Sequence, residues 1–485
     1  MRIWPSLMLS AALLSTLACD KRKQPEVVPP DEGGELEPAP DEAEGEGPSV
    51  LLRGAKVMTA TGVIHEPGAV LVVDGKIAAV GPVDEVEAPK GVTLIELAAT
   101  QVITPGIIDT HSHMGVYASP GLSGNSDGNE AVSPTTAQVR AEDGVWPQDP
   151  QFVHALAGGV TAAQILPGSA NLIGGRSFTI KLRPGARSAE DMRFPGAPAG
   201  LKMACGENPK RVYGEKGGPQ TRMGNVAGHR KAFQAASEYQ RQWDDYQRDL
   251  AIWETGGNEK GKDGKEAKRP NPPARDFGLE TLVGVLEGEV LVHMHCYRAD
   301  EMSLMLELAA SFGFSIRSFH HAVEAYKIAD RLAEAGTSAS VWADWWGFKL
   351  EAYDGVRENA ALLSKAGARA IIHSDSAEGI QRLNQEAGKA MYAGRRAGIE
   401  ISEDQALVWL TLNPAWALGI DDQTGSLEPG KMADLVVWSG SPFSVYTRAE
   451  QVYIDGERVF DRSDPAGRPR TDFDLGLRDD LEGAP

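Results

Sequence analysis

The chain has 485 residues, of which 42% are hydrophobic, enough for one large domain and a smaller one beside it. Lysine and arginine total 48 while aspartate and glutamate total 68, so the formal net charge is −20. This acidic balance argues against nucleic acid as a partner, because phosphate backbones are bound by clustered lysine and arginine side chains.

The first 19 residues have the pattern of a targeting segment. Arg2 supplies a positive charge, an apolar run follows over residues 7–17, and Ala18 precedes Cys19. The run is too short to span a bilayer comfortably. The pattern resembles a bacterial lipoprotein signal, although Thr16 stands where a larger aliphatic residue is usual. We therefore expect an exported protein facing the periplasm or cell exterior, attached to the membrane only through a lipid at Cys19; ordinary secretion is the alternative.

Residues 20–49 are rich in proline, glutamate, glycine and aspartate. Such a segment cannot bury enough apolar surface to offset its ordering entropy, which predicts a disordered acidic linker. Residues 464–485 are interpreted as a tail. Only Cys205 and Cys296 remain after Cys19, and each lies beside a candidate site residue. Two cysteines do not make a disulfide framework, so a free thiol and a bridge are both open.

Short strands are predicted near both ends of the remaining chain. Strand-like stretches cover residues 50–58 and 69–77, and the second contains an Asp74-Gly75 hairpin signal before the next apolar run. Similar runs return over residues 433–438 and 452–459, the second with an Asp455-Gly456 signal. Two such hairpins flanking the chain predict one small β domain assembled from residues 50–103 and 422–463.

The middle, residues 104–421, alternates between strand-like and helical stretches. Apolar runs occur at 162–166, 290–293, 314–316 and 370–373, with helical patterns at 301–312 and 322–335. Near-continuous apolar strands alternating with helices predict a parallel α/β barrel. One insertion, about 214–277, contains a polar helix over 230–252 and a Gly/Lys/Glu/Pro loop. A lid and an inert surface insertion are both open.

Six of the ten histidines fall in three close pairs, each at the end of an apolar run: His111 and His113, His293 and His295, and His320 and His321. The members of the first pair are two residues apart, so an extended strand turns both imidazoles to one face. Neutral histidine nitrogen suits Zn²⁺. Because the carboxyl ends of parallel strands meet at one rim of a barrel, we expect the three pairs to converge there.

Strand geometry then separates the members of each pair. His293 and His295 face the same way, and His295 lies nearer the strand end. His320 and His321 are adjacent and are expected to point apart, so at most one would be a strong ligand. Asp375 ends another buried run, where a carboxylate is costly unless it binds metal or accepts hydrogen bonds. Capping of the next helix is the alternative for this carboxylate.

Taken together, the chain resembles the amidohydrolase superfamily, in its imidazolonepropionase-like and Xaa-Pro dipeptidase-like branch. The resemblance covers nearly all of residues 50–462, and its matching segments are PGIIDTHSH at 105–113, HCYRAD at 295–300, HAVEAY at 321–326, HSD at 373–375 and GKMADLVV at 430–437. It implies a (β/α)8 TIM barrel with a β-sandwich formed from both flanks. It also implies His111 and His113 as metal ligands on the first strand, His295 on the fifth, His321 on the sixth and Asp375 on the eighth. A histidine at position 293 is not required.

In this family the fourth strand supplies a bridging ligand, either a carboxylated lysine or a glutamate. Glu207, just before an Asn-Pro pair at the expected strand end, is the favoured residue. Lys202 is the alternative and would have to react with CO₂. The resemblance thus implies one or two divalent metals, Zn²⁺ first, with Mn²⁺, Fe²⁺ and Co²⁺ also open.

The implied activity is hydrolysis of a carbon–nitrogen bond in a cyclic amide, a dipeptide or another small amide. Metal-activated water would attack, and Asp375 would act as general base and then general acid. Tyr297, Arg298 and His320 are expected to line the substrate pocket. Arg298 could grip a substrate carboxylate bidentately or pair with Asp300 in the rim. The alternatives are ring deamination at the same site and a ligand-binding barrel without activity; assembly into a homo-oligomer is also open.

Overall fold

The computed structural model describes residues 47–257 and 268–464. The predicted targeting segment, nearly all of the acidic linker, part of the loop of the insertion and nearly all of the tail lie outside the described residues. No helix in the described ranges has both the length and the apolar character needed to cross a bilayer.

Three sheets contain the strands of the described residues. The strands are β1 (Val50–Arg53), β2 (Lys56–Met58), β3 (Ile64–His65), β4 (Gly68–Val73), β5 (Lys76–Pro82), β6 (Thr93–Glu96), β7 (Val102–Pro105), β8 (Ile107–Ser112), β9 (Val160–Ile165), β10 (Ile173–Lys181), β11 (Gly200–Ala204), β12 (Leu291–Cys296), β13 (Ile316–His321), β14 (Ser338–Val341), β15 (Ala370–Ile372), β16 (Leu435–Trp438), β17 (Ala449–Ile454) and β18 (Glu457–Asp461). Helices occupy most of the connections between β8 and β16. They are α1 (Pro150–Ala157), α2 (Ala189–Met192), α3 (Glu207–Tyr213), α4 (Arg222–Ile252), α5 (Phe277–Leu286), α6 (Ala299–Phe312), α7 (Ala329–Ala335), α8 (Asn359–Lys365), α9 (Leu383–Arg396), α10 (Glu403–Val408) and α11 (Leu412–Leu418).

The strands β8 to β15 form an eight-stranded sheet in chain order, curled into a nearly closed barrel. Isolated hydrogen bonds connect the first strand of the barrel to the segment after the last strand. In one of them, the Asp375 N–H donates to the His111 carbonyl oxygen at 3.1 Å. The Ser374 N–H and hydroxyl both donate to the Asp109 carboxylate. Asp109, which precedes the first histidine pair, therefore joins the first strand of the barrel to the segment after the last one. The predicted α/β barrel is confirmed.

One barrel strand runs opposite to the prediction. β10 pairs antiparallel with both neighbours, whereas the remaining pairs of this sheet are parallel. The physical reason lies in the connection: β9 ends at Ile165 and β10 begins at Ile173. A parallel crossover needs a dozen or more residues, and this loop is too short to provide one. The expectation of an all-parallel barrel is wrong at this strand.

The other two sheets combine strands from both flanks of the barrel. Their orders are β5-β4-β1-β6 and β18-β17-β16-β7-β2-β3, so β16 pairs with β7 from the opposite flank. Val72 and Leu52 of the first sheet and Val437 and Ile103 of the second belong to one buried apolar cluster. The predicted Asp-Gly turns close the β4–β5 and β17–β18 hairpins as two-residue loops with positive φ, as a type I′ turn requires.

A buried network of ion pairs links β10, the reversed strand, to the segments of the flanking sheets. Lys181, the last residue of β10, is fully buried, and its Nζ lies 3.1 Å from Asp434 Oδ1 and 2.5 Å from Asp455 Oδ1. Thr424 donates a further hydrogen bond to Asp434. A buried ammonium is tolerated only when it is paired in this way, so the network holds β10 in one position relative to the flanking strands.

The predicted insertion contains α4, which begins at Arg222 and not at residue 230. The Thr221 hydroxyl accepts a hydrogen bond from the Gly224 N–H and caps this earlier start. Phe233 stacks on Phe314 with ring centroids 4.3 Å apart, so the first half of the helix packs against the barrel. The helix predicted over residues 322–335 also changes its start, because residues 325–328 form a tight 3₁₀ turn before α7.

Candidate metal centre

Three predicted ligands meet at the carboxyl-end rim of the barrel. The distances are 3.3 Å between His111 Nε2 and His113 Nε2, 3.5 Å from His111 Nε2 to Asp375 Oδ1, and 3.3 Å from His113 Nε2 to the same oxygen. Ligand atoms about 2.1 Å from a tetrahedral ion stand about 3.4 Å apart, so this triangle has the size of one metal site. We call His111, His113 and Asp375 the triad.

The triad is oriented by hydrogen bonds to its outer atoms. His113 Nδ1–H donates to the Leu166 carbonyl at 2.8 Å, and His111 Nδ1 shares a 2.8 Å hydrogen bond with His320 Nδ1. Each imidazole therefore presents its Nε2 to the triangle, an arrangement in which outer partners set the ligand's orientation. Asp375 holds a φ of 50°, and such left-handed non-glycine residues concentrate at functional sites.

Lys202 lies inside the barrel beside the triad. Its Nζ is 3.4 Å from His111 Nε2 and 3.0 Å from the Pro167 carbonyl oxygen, and only 1% of the residue is exposed. Burial lowers the pKa of Lys202 to about 7, because the charged ammonium loses its hydration. The neutral amine that results near pH 7 is the form able to react with CO₂.

Two further histidines, His295 and His321, lie near Lys202. Together with the triad and Lys202, they form what we call the group. The rings of His295 and His321 are 4.6 Å apart, and His321 Nε2 lies 3.8 Å from Asp375 Oδ2. The Nδ1 atoms of both rings are buried without a hydrogen-bond partner among the described residues. Orphaned buried polar atoms are costly in a finished core, so these atoms fit a site that takes a further ligand.

Burial favours the neutral imidazole at three histidines of the site. Burial lowers the pKa of His111, His295 and His321 well below the ordinary value. For Asp375, burial by itself raises the pKa, but the hydrogen bond and charge of His113 hold it below the ordinary value. Neutral imidazoles and an ionised carboxylate are the forms that bind a divalent metal.

Glu207, the residue favoured as the bridging ligand, lies at the start of a helix in the structure. Glu207 is the first residue of α3, its side chain is 38% exposed, and its carboxylate lies 3.7 Å from Lys349 Nζ. Its N–H donates to Glu351 at 3.0 Å. The expected strand end at residue 207 is wrong, because β11 stops at Ala204 and the chain turns into a helix. Lys202, on the strand itself, is the fourth-strand side chain that faces the triad.

His320 and His321 were expected to point apart, and both instead face the barrel interior. His321 has a φ of 69°, which interrupts the strand alternation and turns its ring inward beside that of its neighbour. His320 is fully buried and shares hydrogen bonds with His111 on one nitrogen and with His293 Nδ1 on the other, at 3.0 Å. Both ring nitrogens of His320 therefore have protein partners, and the residue orients His111.

His373 is a buried histidine next to the group, and the sequence predictions did not include it. Its Nε2 accepts a hydrogen bond from the His321 N–H at 3.2 Å, and its ring stacks on that of His111. One nitrogen each of His111, His321 and His373 lie within 4.8 Å of one another. The available signal was the HSD segment, of which only the aspartate was interpreted. His373 supports the backbone of His321 at the site.

Two residues predicted to line the substrate pocket, Tyr297 and Arg298, have different surroundings in the structure. The Tyr297 ring stacks on His321 with centroids 5.1 Å apart and lines the site. The Arg298 Nε donates to Asp300 Oδ1 at 3.0 Å, the rim salt bridge considered as its alternative role. Trp342 stacks on the same His321 ring at 4.4 Å, and Trp345 stacks on Trp342 at 5.3 Å. An aromatic wall therefore borders the metal centre.

The two cysteines are joined by a disulfide. Cys205 and Cys296 have Cα atoms 5.2 Å apart, and Cys296 follows His295 directly. The bridge connects the end of β12 to the residue after β11, next to two members of the group. The open choice between thiols and a bridge is thus decided for the bridge.

Comparison with known proteins gives consistent similarities. Residues 274–460 match the family model described as "Amidohydrolase family". The crystal structure of an amidohydrolase from Thermotoga maritima MSB8 is similar at 38% identity and a TM-score of 0.74, over 85% of this chain and 100% of that one. Amidohydrolase tasK from Hapsidospora irregularis is 35% identical over 413 residues, which are 82% of this chain and 40% of tasK. The chain thus spans less than half of that relative. An imidazolonepropionase from Mesorhizobium japonicum is 26% identical over 85% of this chain and 96% of its own.

Proposed function

Because the chain belongs to the amidohydrolase family, we propose that it hydrolyses a carbon–nitrogen bond of a small molecule with the help of a divalent metal. The observation that carries the proposal is the triad, whose three ligand atoms are 3.3–3.5 Å apart at the barrel rim. Active sites of such barrels lie at this rim. A small amide is the proposed substrate and water the second reactant.

The residues of the group divide into two sets that would hold metal. The triad would hold one ion, and Lys202, as a carbamate, would help His295 and His321 to hold a second. When bound, the metal would supply a lowered pKa for water and polarisation of the substrate carbonyl. Zn²⁺ suits this set of nitrogen and oxygen ligands, and Mn²⁺, Fe²⁺ and Co²⁺ accept them too.

Asp375 is the proposed proton carrier. Its carboxylate is partly exposed at the mouth of the site, with Oδ1 toward His113 and Oδ2 toward His321. From this position it can accept the proton that the attacking water loses and return it to the leaving nitrogen. The hydrogen bond from the Asp375 N–H to the His111 carbonyl holds the carboxylate in place during both transfers.

The aromatic wall would bind the part of the substrate that does not react. Trp342 is fastened by a 3.0 Å hydrogen bond from its indole N–H to the Ser374 carbonyl, and Trp345 is 41% exposed on its outer side. Flat aromatic surfaces favour an apolar or ring-bearing group and exclude water around it. Tyr297 would close the inner side of the same surface.

We also propose that the protein acts outside the cytoplasm, anchored through a lipid at Cys19 and without a nucleic-acid partner. The pattern of residues 1–19 supports export. The disulfide between Cys205 and Cys296 supports it independently, because disulfides persist mainly in oxidising compartments.

The test is the Asp375→Asn variant, assayed on a panel of dipeptides, lactams, cyclic ureas and aminopurines. We expect kcat to fall on the order of 10³-fold, the range of general acid–base catalysis, while the histidines still retain metal. Glu378→Gln, at an exposed carboxylate of the same loop, is the matched control and should keep full activity. Ammonia release measured against amine release separates deamination from amide hydrolysis. A turnover of Asp375→Asn within a few fold of the wild type would overturn the assignment.

A further inference from the structure

We propose that a cavity of about 200 Å³ beside the reversed strand β10 binds a small anion with a phosphate or carboxylate group. The cavity is lined by residues of β10, by the chain before α1 and by the chain between α2 and β11. None of its lining residues belongs to the candidate metal centre. It is therefore a second site, with a different ligand chemistry.

Three arginines are held around this cavity by backbone pairing to β10. Arg140 forms a parallel bridge with Arg176, whose N–H also donates to the Val139 carbonyl at 2.8 Å. Arg193 forms an antiparallel bridge with Ile180 lower on the same strand. Backbone hydrogen bonds to β10 thus hold the main chain of Arg140 and Arg193 beside the cavity. We call this set of three arginines around the cavity the cradle.

The lining of the cavity contains more basic than acidic residues. Glu142 is the single acidic residue of the lining, and it pairs with both Arg140 and Arg193. On the solvent side, Asp143 lies 3.8 Å from Arg140 and Glu190 lies 2.7 Å from Arg193. Both of these outer carboxylates are largely exposed, so water and salt screen them. Arg140 and Arg193 therefore have carboxylate partners, and one guanidinium of the lining has none.

That guanidinium is Arg176. It has no ion pair or side-chain hydrogen bond with any residue in the ranges 47–257 and 268–464. Burial lowers the pKa of Arg176, and the positive charges of Arg140 and Arg193 lower it further, with no acidic group acting in the opposite direction. A partly buried, unpaired guanidinium is costly, and an anion in the cavity would supply the missing partner. A planar guanidinium fits carboxylate and phosphate oxygens bidentately.

A hydroxyl in the same cavity also lacks a partner. Thr179 lines the cavity and is 2% exposed, and its Oγ1 is buried without a hydrogen-bond partner among the described residues. A buried hydroxyl of the cavity lining is a donor that an oxyanion in the cavity could accept. Phe178 and Phe194 add apolar walls, which leave room for a small carbon skeleton behind the anionic group. The ligand class is a small phosphate or carboxylate metabolite.

The test is isothermal titration calorimetry of the metal-loaded full chain with inorganic phosphate and, separately, succinate. We expect saturable binding of at least one anion, weakened by about tenfold or more in Arg176→Gln, because a charge-assisted bidentate pair is lost. Arg241→Gln, at an exposed position of α4, is the matched control and should bind as the wild type does. The tighter of the two anions identifies phosphate or carboxylate as the natural group.

Anion binding at the metal centre has to be separated from binding in the cradle. Crystals soaked in selenate locate the anion by its anomalous scattering without any variant, and we expect it against Arg176 and Thr179. If Arg176→Gln fails to fold, Arg176→Lys keeps the charge but removes the planar fork, and should weaken binding. Selenate found only at the metal centre, equal affinity in wild type and Arg176→Gln, or no binding of either anion overturns the proposal.

Discussion

Replacing Lys202 by methionine tests the geometry of the metal centre most directly. The side chain is buried, and its Nζ lies 3.4 Å from His111 Nε2 with one further contact, to the Pro167 carbonyl. Methionine fills a similar volume but can neither form a carbamate nor bridge two ions. Loss of an outer-shell partner alone costs 10–100-fold in metal affinity, so loss of a bridging ligand should cost at least about 100-fold, or about 2.7 kcal/mol.

The assay is metal content per chain after dialysis against a competing chelator, with kcat/KM on the best substrate. We expect Lys202→Met to lose one of two metal equivalents, and ¹³C-labelled bicarbonate to give a carbamate resonance in the wild type that the variant lacks. Glu207→Gln is the control and should keep both equivalents, because its carboxylate pairs with Lys349. Full metal content in Lys202→Met together with metal loss in Glu207→Gln would refute the geometric reasoning and restore Glu207 as the bridge.

Two further predictions concern stability. The Cys205–Cys296 bridge spans a sequence separation of 91 residues, so replacing both cysteines by serine should lower the free energy of unfolding by about 2–5 kcal/mol in urea titrations. Reductant should lower the wild type to the level of that variant, and an unchanged wild type would contradict the bridge. Burial lowers the pKa of His229 to about 4, so stability is lost as pH falls from about 6.5 toward 4, since the unfolded state then binds the extra proton. Between pH 7 and pH 5 this loss is about 2 kcal/mol, which His229→Gln should remove; an unaltered pH dependence of the urea midpoint in the variant would exclude the mechanism.

Local spacing was sufficient for part of the metal centre. His111 and His113 are two residues apart on one strand, and the structure turns both toward Asp375 as the alternation of a strand requires. His295 and His321 also reach the same rim. The same rule failed for the pair His320 and His321, because His321 adopts a left-handed conformation that interrupts the alternation. Such a backbone angle depends on the residues that pack around it, and two adjacent histidines in a sequence do not predict it.

The choice at the fourth strand shows a second limit. Glu207 and Lys202 are five residues apart, and the sequence offers both as bridging groups. Where β11 stops and α3 starts decides between them, since Glu207 is the first residue of the helix and pairs with Lys349. That end is set by hydrogen bonds from neighbouring strands, such as the Cys205 N–H to the His295 carbonyl at 2.9 Å. These contacts join residues far apart in the chain.

The sequence by itself determined the alternation that makes a barrel, the two Asp-Gly hairpins of the flanking strands and the histidine motifs at strand ends. These features follow from periodicity and turn chemistry within a few residues. Tertiary structure alone decided the reversal of β10, the inward turn of His321 and the cradle around Arg176. Each of these depends on which distant segments share hydrogen bonds and burial. Long-range pairing and exclusion of water are properties of the folded chain as a whole, and short sequence windows do not contain them.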